Sequence, residues 1–163
     1  MNAEQYNKWS KPLRENPQVA RIIVLANKGI TCIYYVAYPL LIAWLFLSQN
    51  ALAWKALVFP MLGFMTVTLM RKAINKARPY EALTIQPIIS KDTKGKSFPS
   101  RHTYSAFAIA ATIFAWHAPV GIAFFIVACC LACIRILGGV HYPSDVLAGA
   151  ALGIAFCLLE LVF

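Results

Sequence analysis

The chain has 163 residues, room for one domain of ordinary size and not for two. Hydrophobic residues make up 60% of it and charged residues 13%, against about 45–50% and about 25% in soluble domains; a water-soluble fold could not hide that excess, and 10 Phe, 7 Tyr and 4 Trp exclude disorder. The net charge of +9, carried between apolar runs and not on a soluble face, points to anionic lipid or a phosphorylated substrate and away from nucleic acid.

In chain order, residues 1–28 read as an interfacial helix with Tyr6, Trp9 and basic side chains, residues 19–26 being a possible extension of the first span. The polar start carries both charge signs and does not read as a cleaved signal. Apolar spans follow at 30–48, 51–70, 103–117, 120–137 and 146–163. The 15 residues of 103–117 are few for a lipid-facing span, but enough where protein lines one end. Residues 71–101 form the one long connection, rich in Lys, Arg, Pro, Gly and Ser, and are the expected active-site loop. Cys32, Cys129, Cys130, Cys133 and Cys157 all lie in apolar runs and read as packing residues. Gly149 and Gly153 mark close helix packing, inside the monomer in the first reading and in a dimer in the second, and Glu160 falls near the far interface. The prediction is an all-α polytopic membrane bundle, about five transmembrane helices plus an N-terminal interfacial helix, in a single domain over 1–163.

Alternating the spans puts residues 1–28, 71–101 and 138–145 on one face. Thirteen of the fifteen basic residues lie in those segments and Arg135, at the end of the fourth span, borders the same face, Lys55 being the exception. The positive-inside bias would make that face cytoplasmic.

Three clusters border the membrane there. Arg71 to Glu81 closes the second span, Ser97 to His102 opens the third, and Arg135, His141 and Asp145 bridge the fourth and fifth. Arg135 ends an otherwise apolar helix, where an unpaired guanidinium is costly, so it calls for a permanent or substrate-borne anionic partner, snorkelling to headgroups being the alternative. His141 and Asp145 stand four apart; a carboxylate on one imidazole nitrogen frees the other to attack. Alone, that pair reads equally as a capping Asp beside a satisfied His. A second histidine, His102, entering another helix beside Ser100, Arg101, Arg78 and Arg71 or Lys72, shifts the reading toward phosphoryl transfer: one His attacks phosphorus, the other protonates the departing oxygen, and arginines hold the equatorial oxygens. Two His and one Asp among so many cations repel a divalent ion, so no metal or other cofactor is expected.

Arg71-x6-Arg78-Pro79, Pro99-Ser100-Arg101-His102 and Arg135-x5-His141-x3-Asp145 together resemble the three-part signature of the type 2 phosphatidic acid phosphatase superfamily. The resemblance implies His141 as nucleophile, Asp145 as its orienting partner and His102 as leaving-group acid, with Arg71, Lys72, Arg78, Ser100, Arg101 and Arg135 binding phosphate. Three positions depart from the family pattern: its lysine is Arg71 with Lys72 beside it, its glycine is Arg101, and the serine before its third-motif arginine is Ile134. We expect Arg71 to face the phosphate and Lys72 the interface.

The implied activity is metal-independent hydrolysis of a lipid phosphate or pyrophosphate in the cell membrane, first of all undecaprenyl pyrophosphate. Phosphatidylglycerophosphate, phosphatidate and diacylglycerol pyrophosphate are the alternatives, and a non-enzymatic membrane protein with a decayed site is a distant one. Family members that recycle the undecaprenyl carrier act on the outer face, against the charge bias. The sequence leaves the side of the site and the oligomeric state open.

Overall fold

The computed structural model describes residues 2–162, the side chains of Glu160 and Leu161 excepted; the expectation for Glu160 and the end of the fifth span at Phe163 lie outside the described residues. All seven elements are helices: α1 Ala3–Glu15, α2 Pro17–Leu47, α3 Ala53–Ile74, α4 Pro79–Ala82, α5 Arg101–Trp116, α6 Ala118–Leu137 and α7 Pro143–Val162.

The N-terminal 28 residues are not one interfacial segment. Asn2 caps α1 in a reciprocal pair with Gln5. Asn16 then accepts the N–H groups of Gln18 and Val19, and Pro17 opens α2 with its φ already helical. Residues 17–28 are therefore the first turns of a 31-residue helix. At about 1.5 Å per residue it is longer than a hydrocarbon core of about 30 Å and must project beyond it.

By length and apolar composition three helical stretches can cross a membrane: Pro17–Leu47, Ala53–Ala82 and Ala118–Leu137. The other two expected spans are shorter, α5 with 16 residues and α7 with an apolar stretch at Pro143–Leu159. α5 needs no lipid-facing length because it is the centre of the bundle, packed on α7 and α6 and touched by α3 and α2. Thr103, Tyr104, Ala106 and all residues from Ala108 to Ile113 are buried along it. Apolar side chains exposed on the outer helices, among them Leu40, Leu47, Trp54, Leu69, Ile126 and Leu147, present the face that lipid covers. The chain is a multi-pass cell-membrane protein.

Glycine sets the closest approach in this core. A Cβ at Gly149 would stand 2.5 Å from the Ser100 carbonyl oxygen, and one at Gly153 would stand 2.7 Å from the Tyr104 carbonyl and 2.8 Å from the Ala108 nitrogen. The small-residue pair thus packs α7 onto α5 within the monomer, as expected. Gly153→Val forces the two backbones apart and costs roughly 1–3 kcal/mol. The measurement is thermal unfolding in detergent, with a markedly lower midpoint expected.

α1 lies against α2 and α6. Its Tyr6 is buried and donates to the Leu137 carbonyl at 3.2 Å, and Arg14 donates to the Gln86 carbonyl at 2.9 Å. The Tyr6 ring crowds Gly139, whose φ of 75° no other residue adopts without strain. α1 so braces both the turn before His141 and the loop before α5.

Candidate active site

Each cluster is built on a helix end. Arg71 occupies the last turn of α3, points inward, and donates through Nη1 to the carbonyls of Pro99 (2.6 Å) and Ser97 (3.3 Å). Lys72, about 100° further round the helix, stays exposed and outside the cluster. Arg78 caps α4; its Nε donates to the Gly95 carbonyl at 3.1 Å and its Nη1 to the Val140 carbonyl at 3.3 Å, so one guanidinium ties the long loop to the turn that carries His141. Ser100 caps α5, its Oγ accepting from the Thr103 hydroxyl at 2.9 Å, while its own N–H donates to the Asp145 carbonyl at 2.9 Å. Arg101 is exposed, with its guanidinium 5.8 Å from the centre of the Phe64 ring.

Arg135 is the extreme case. It is 0% exposed in the last turn of α6, and one nitrogen, Nη1, donates to Asn27 Oδ1 at 3.1 Å. Its Nε and Nη2 are buried with no hydrogen-bond partner among the described residues. The charges of Arg71 and Arg78 reach it, and no carboxylate pairs with it among the described residues. Three guanidiniums thus gather where two nitrogens of Arg135 have no partner among the described residues, an arrangement able to donate to a polyvalent oxyanion.

His141 and Asp145 are both buried but do not hydrogen-bond directly: Nδ1 and Oδ2 are 3.7 Å apart. Ser97 stands between them, its hydroxyl donating to Asp145 Oδ2 at 2.5 Å and lying 3.4 Å from His141 Nδ1. The Tyr142 N–H also donates to Oδ2, at 3.1 Å, and Lys76 Nζ donates to Oδ1 at 2.7 Å. Burial works against charge on Asp145, yet the nearby His141 imidazole and the hydrogen bonds from Lys76, Ser97 and the Tyr142 N–H outweigh it and hold the carboxyl below the usual carboxylate range. Burial pushes the His141 imidazole down to about 3, opposed by Asp145 and assisted by Arg135 and Arg78. His141 is therefore neutral at physiological pH, with Nδ1 toward Ser97 and Asp145 and Nε2 without a hydrogen-bond partner among the described residues.

His102 sits half-buried in the first turn of α5, within the field of Arg135, Lys91, His141 and Arg101. With Arg101 it lines a groove of about 470 Å³ between α2, α3, α5 and α6, whose walls include Tyr34, Tyr38, Phe64 and Leu131. Lys91 in the long loop is pushed down to about 8, by burial first and then by Arg135, Arg78, Arg71 and Arg101.

The structure thus brings together His141, Asp145, His102, Arg71, Arg78, Arg135 and Ser100, with Arg101 at the groove mouth and Lys72 apart. Three residues passed over in the sequence stand in the same cluster: Ser97, Lys76 and Asn27. Ser97 and Lys76 lie inside the motif strings. Asn27 was visible only as a polar residue in the first turns of an apolar helix.

Residues 51–163 match the PAP2 superfamily. This chain belongs to it. Among PAP2-like relatives, the bacitracin transport permease protein BcrC of Bacillus licheniformis is 31% identical over 130 residues, 77% of this chain and 63% of that protein. The lipid A 1-phosphatase of Rhizobium johnstonii is 35% identical over 99 residues, 58% of this chain and 40% of that one. The chain thus spans less than two thirds of the length of these relatives. In three dimensions it superposes on the crystal structure of Aquifex aeolicus LpxE with a TM-score of 0.78, at 24% identity over 99% of this chain and 95% of that one, a likeness of fold. It also superposes on the first transmembrane PAP2 type phosphatidylglycerolphosphate phosphatase of Bacillus subtilis, with a TM-score of 0.65 at 25% identity over 100% and 87%.

Proposed function

We propose that this PAP2 chain is an integral-membrane lipid phosphatase acting through a phosphohistidine on His141. The observation that carries the reading is Arg135, wholly buried with Nε and Nη2 unpartnered, among two further arginines and beside a neutral histidine. Such a guanidinium is stabilised when an oxyanion accepts from it. Burial and then the charges of Arg135, Lys91 and Arg101 hold the His102 imidazole unprotonated without substrate. It takes up a proton from water as the anionic phosphate offsets those cations. Nε2 of His141 attacks phosphorus as the bond to the lipid oxygen breaks, and His102 gives that oxygen its proton. Water then attacks phosphorus, the N–P bond breaks, and the water proton passes to His102. Arg71, Arg78 and Arg135 balance the charge on the equatorial oxygens, the part a metal plays elsewhere. The Ser100 side chain, already capping α5, contributes chiefly by fixing where His102 stands.

The groove that opens beside His102 supports a substrate whose leaving group carries a long apolar chain. Arg101 and Lys91, cations beyond the three arginines, support a second phosphate and hence undecaprenyl pyrophosphate as first substrate. Similarity to the lipid A 1-phosphatase and to the phosphatidylglycerolphosphate phosphatase favours a second reading, a single phosphate on a phospholipid or glycolipid.

The test is phosphate release by the purified protein in detergent with a chelator present. Undecaprenyl pyrophosphate, phosphatidylglycerophosphate, phosphatidate and lipid A are offered in parallel. Release that survives chelation, fastest from the pyrophosphate, is the expected result. A preference for a monophosphate would overturn the substrate choice, and silence toward all four lipids in folded protein would overturn the activity.

A further inference from the structure

Asp145 is held by more than its histidine. On Oδ2 it accepts from Ser97 and from the Tyr142 N–H; on Oδ1 it accepts from Lys76 at 2.7 Å and from Ser144 at 3.3 Å. Among the described residues Lys76 is the one Lys or Arg in a salt bridge with this carboxylate, because the hydrogen bonds of Arg71, Arg78 and Arg135 go to backbone carbonyls and to Asn27. The Lys76 ammonium is itself fixed. It donates to Ser144 Oγ at 3.2 Å and lies 4.4 Å from the Tyr142 ring centre and 5.6 Å from that of Phe98. It joins the stretch after α3 to the first turn of α7, and with its side chain 35% exposed it stands on the water side of a carboxylate that is wholly buried.

Resting on the reading of His141 as nucleophile, we propose that Lys76 is a positioning residue for the reaction, clamping the far oxygen of Asp145 so that the near one stays aimed at Ser97 and His141. When His141 takes the phosphoryl group and keeps its Nδ1 proton, the ring becomes cationic, and an ionised, correctly turned Asp145 is what stabilises it. A carboxylate free to rotate would offer its charge to the neighbouring guanidiniums instead. Lys76 touches only the oxygen turned away from the imidazole, so it acts on the chemical steps and not on lipid binding.

Lys76→Gln, Lys76→Met and Lys76→Arg, each in the full chain in detergent, test this with the best lipid of the panel. Gln and Met are expected to lower kcat roughly 10- to 100-fold, the range seen when partners that orient a reacting ligand are removed, with KM within about twofold of wild type; Arg restores most of the rate. Met keeps the stem over the Tyr142 ring and serves if the Gln variant does not fold. Unchanged kcat in either, a loss lying wholly in KM, or an Arg variant as impaired as Met in folded protein would overturn the assignment. His141→Ala runs beside them: if it stays active the nucleophile reading fails, whereas an inactive His141→Ala with an unimpaired Lys76→Gln removes the Lys76 claim alone.

Discussion

His141→Ala in folded protein leaves no phosphate release above background from any lipid in the panel, a loss of at least roughly 10⁴-fold, as expected when a nucleophile that works as part of a unit is deleted. The imidazole is buried, neutral and turned with Nδ1 toward Ser97 and Asp145, which leaves Nε2 as the nitrogen that the proposed attack uses. Alkaline-quenched wild-type protein, given radiolabelled lipid phosphate, is expected to retain label that the variant lacks. The pH dependence carries a second check. Since burial holds the imidazole down to about 3, His141 remains unprotonated as pH falls through the ordinary histidine range near 6.5. Protonation of the proposed nucleophile therefore does not set the acid side of the rate profile above about pH 4. An acid limb near 6.5 that disappeared on modification of His141 alone would contradict the assignment.

Arg135→Met is expected to lower kcat/KM by roughly 10²–10³-fold, the range for removing one preorganised donor from a developing charge, while leaving the unfolding midpoint unchanged or raised. Both parts follow from one geometry. A guanidinium 0% exposed with two unpartnered nitrogens has lost its hydration for a single hydrogen bond to Asn27, and an apolar side chain of similar length avoids that cost. Arg135→Lys restores the charge but not the fork of parallel N–H groups, and recovers little. Activity retained with a falling midpoint would make Arg135 a structural residue. Thermal unfolding and initial rates on the same preparations decide it.

The elements were legible in the sequence wherever one physical pattern dominated. Apolar runs fixed the bundle, and three spaced motifs at its ends marked where chemistry gathers. The boundary at Asn16 was less visible, because residues 19–26 are apolar enough for either an interfacial segment or a membrane helix; the cap decides, and caps are read from backbone geometry. α7 looked like a full span from composition, yet its exposed and buried residues are divided by the need to press Gly149 and Gly153 onto α5. Within the site, the motifs named the groups spaced along one helix or turn. They could not name partners that meet through the fold: Lys76 reaches Asp145 across 69 residues, and Asn27 reaches Arg135 across 108. The i, i+4 spacing of His141 and Asp145 suggested a direct hydrogen bond, and only three dimensions show Ser97 standing between them.

The crowding of Arg71, Arg78 and Arg135 has a thermodynamic consequence for the whole chain. Like charges drawn out of water oppose folding, and an oxyanion that binds only where they converge relieves that opposition, so its binding energy becomes folding energy. At a concentration one hundred times its dissociation constant, such an anion adds about 2.7 kcal/mol, a large part of the margin by which an ordinary domain stays folded. Inorganic phosphate, present in any cell at appreciable concentration, would then act as a stabiliser and a competitor at once. The protein would be sturdiest when product is abundant and catalysis slowest.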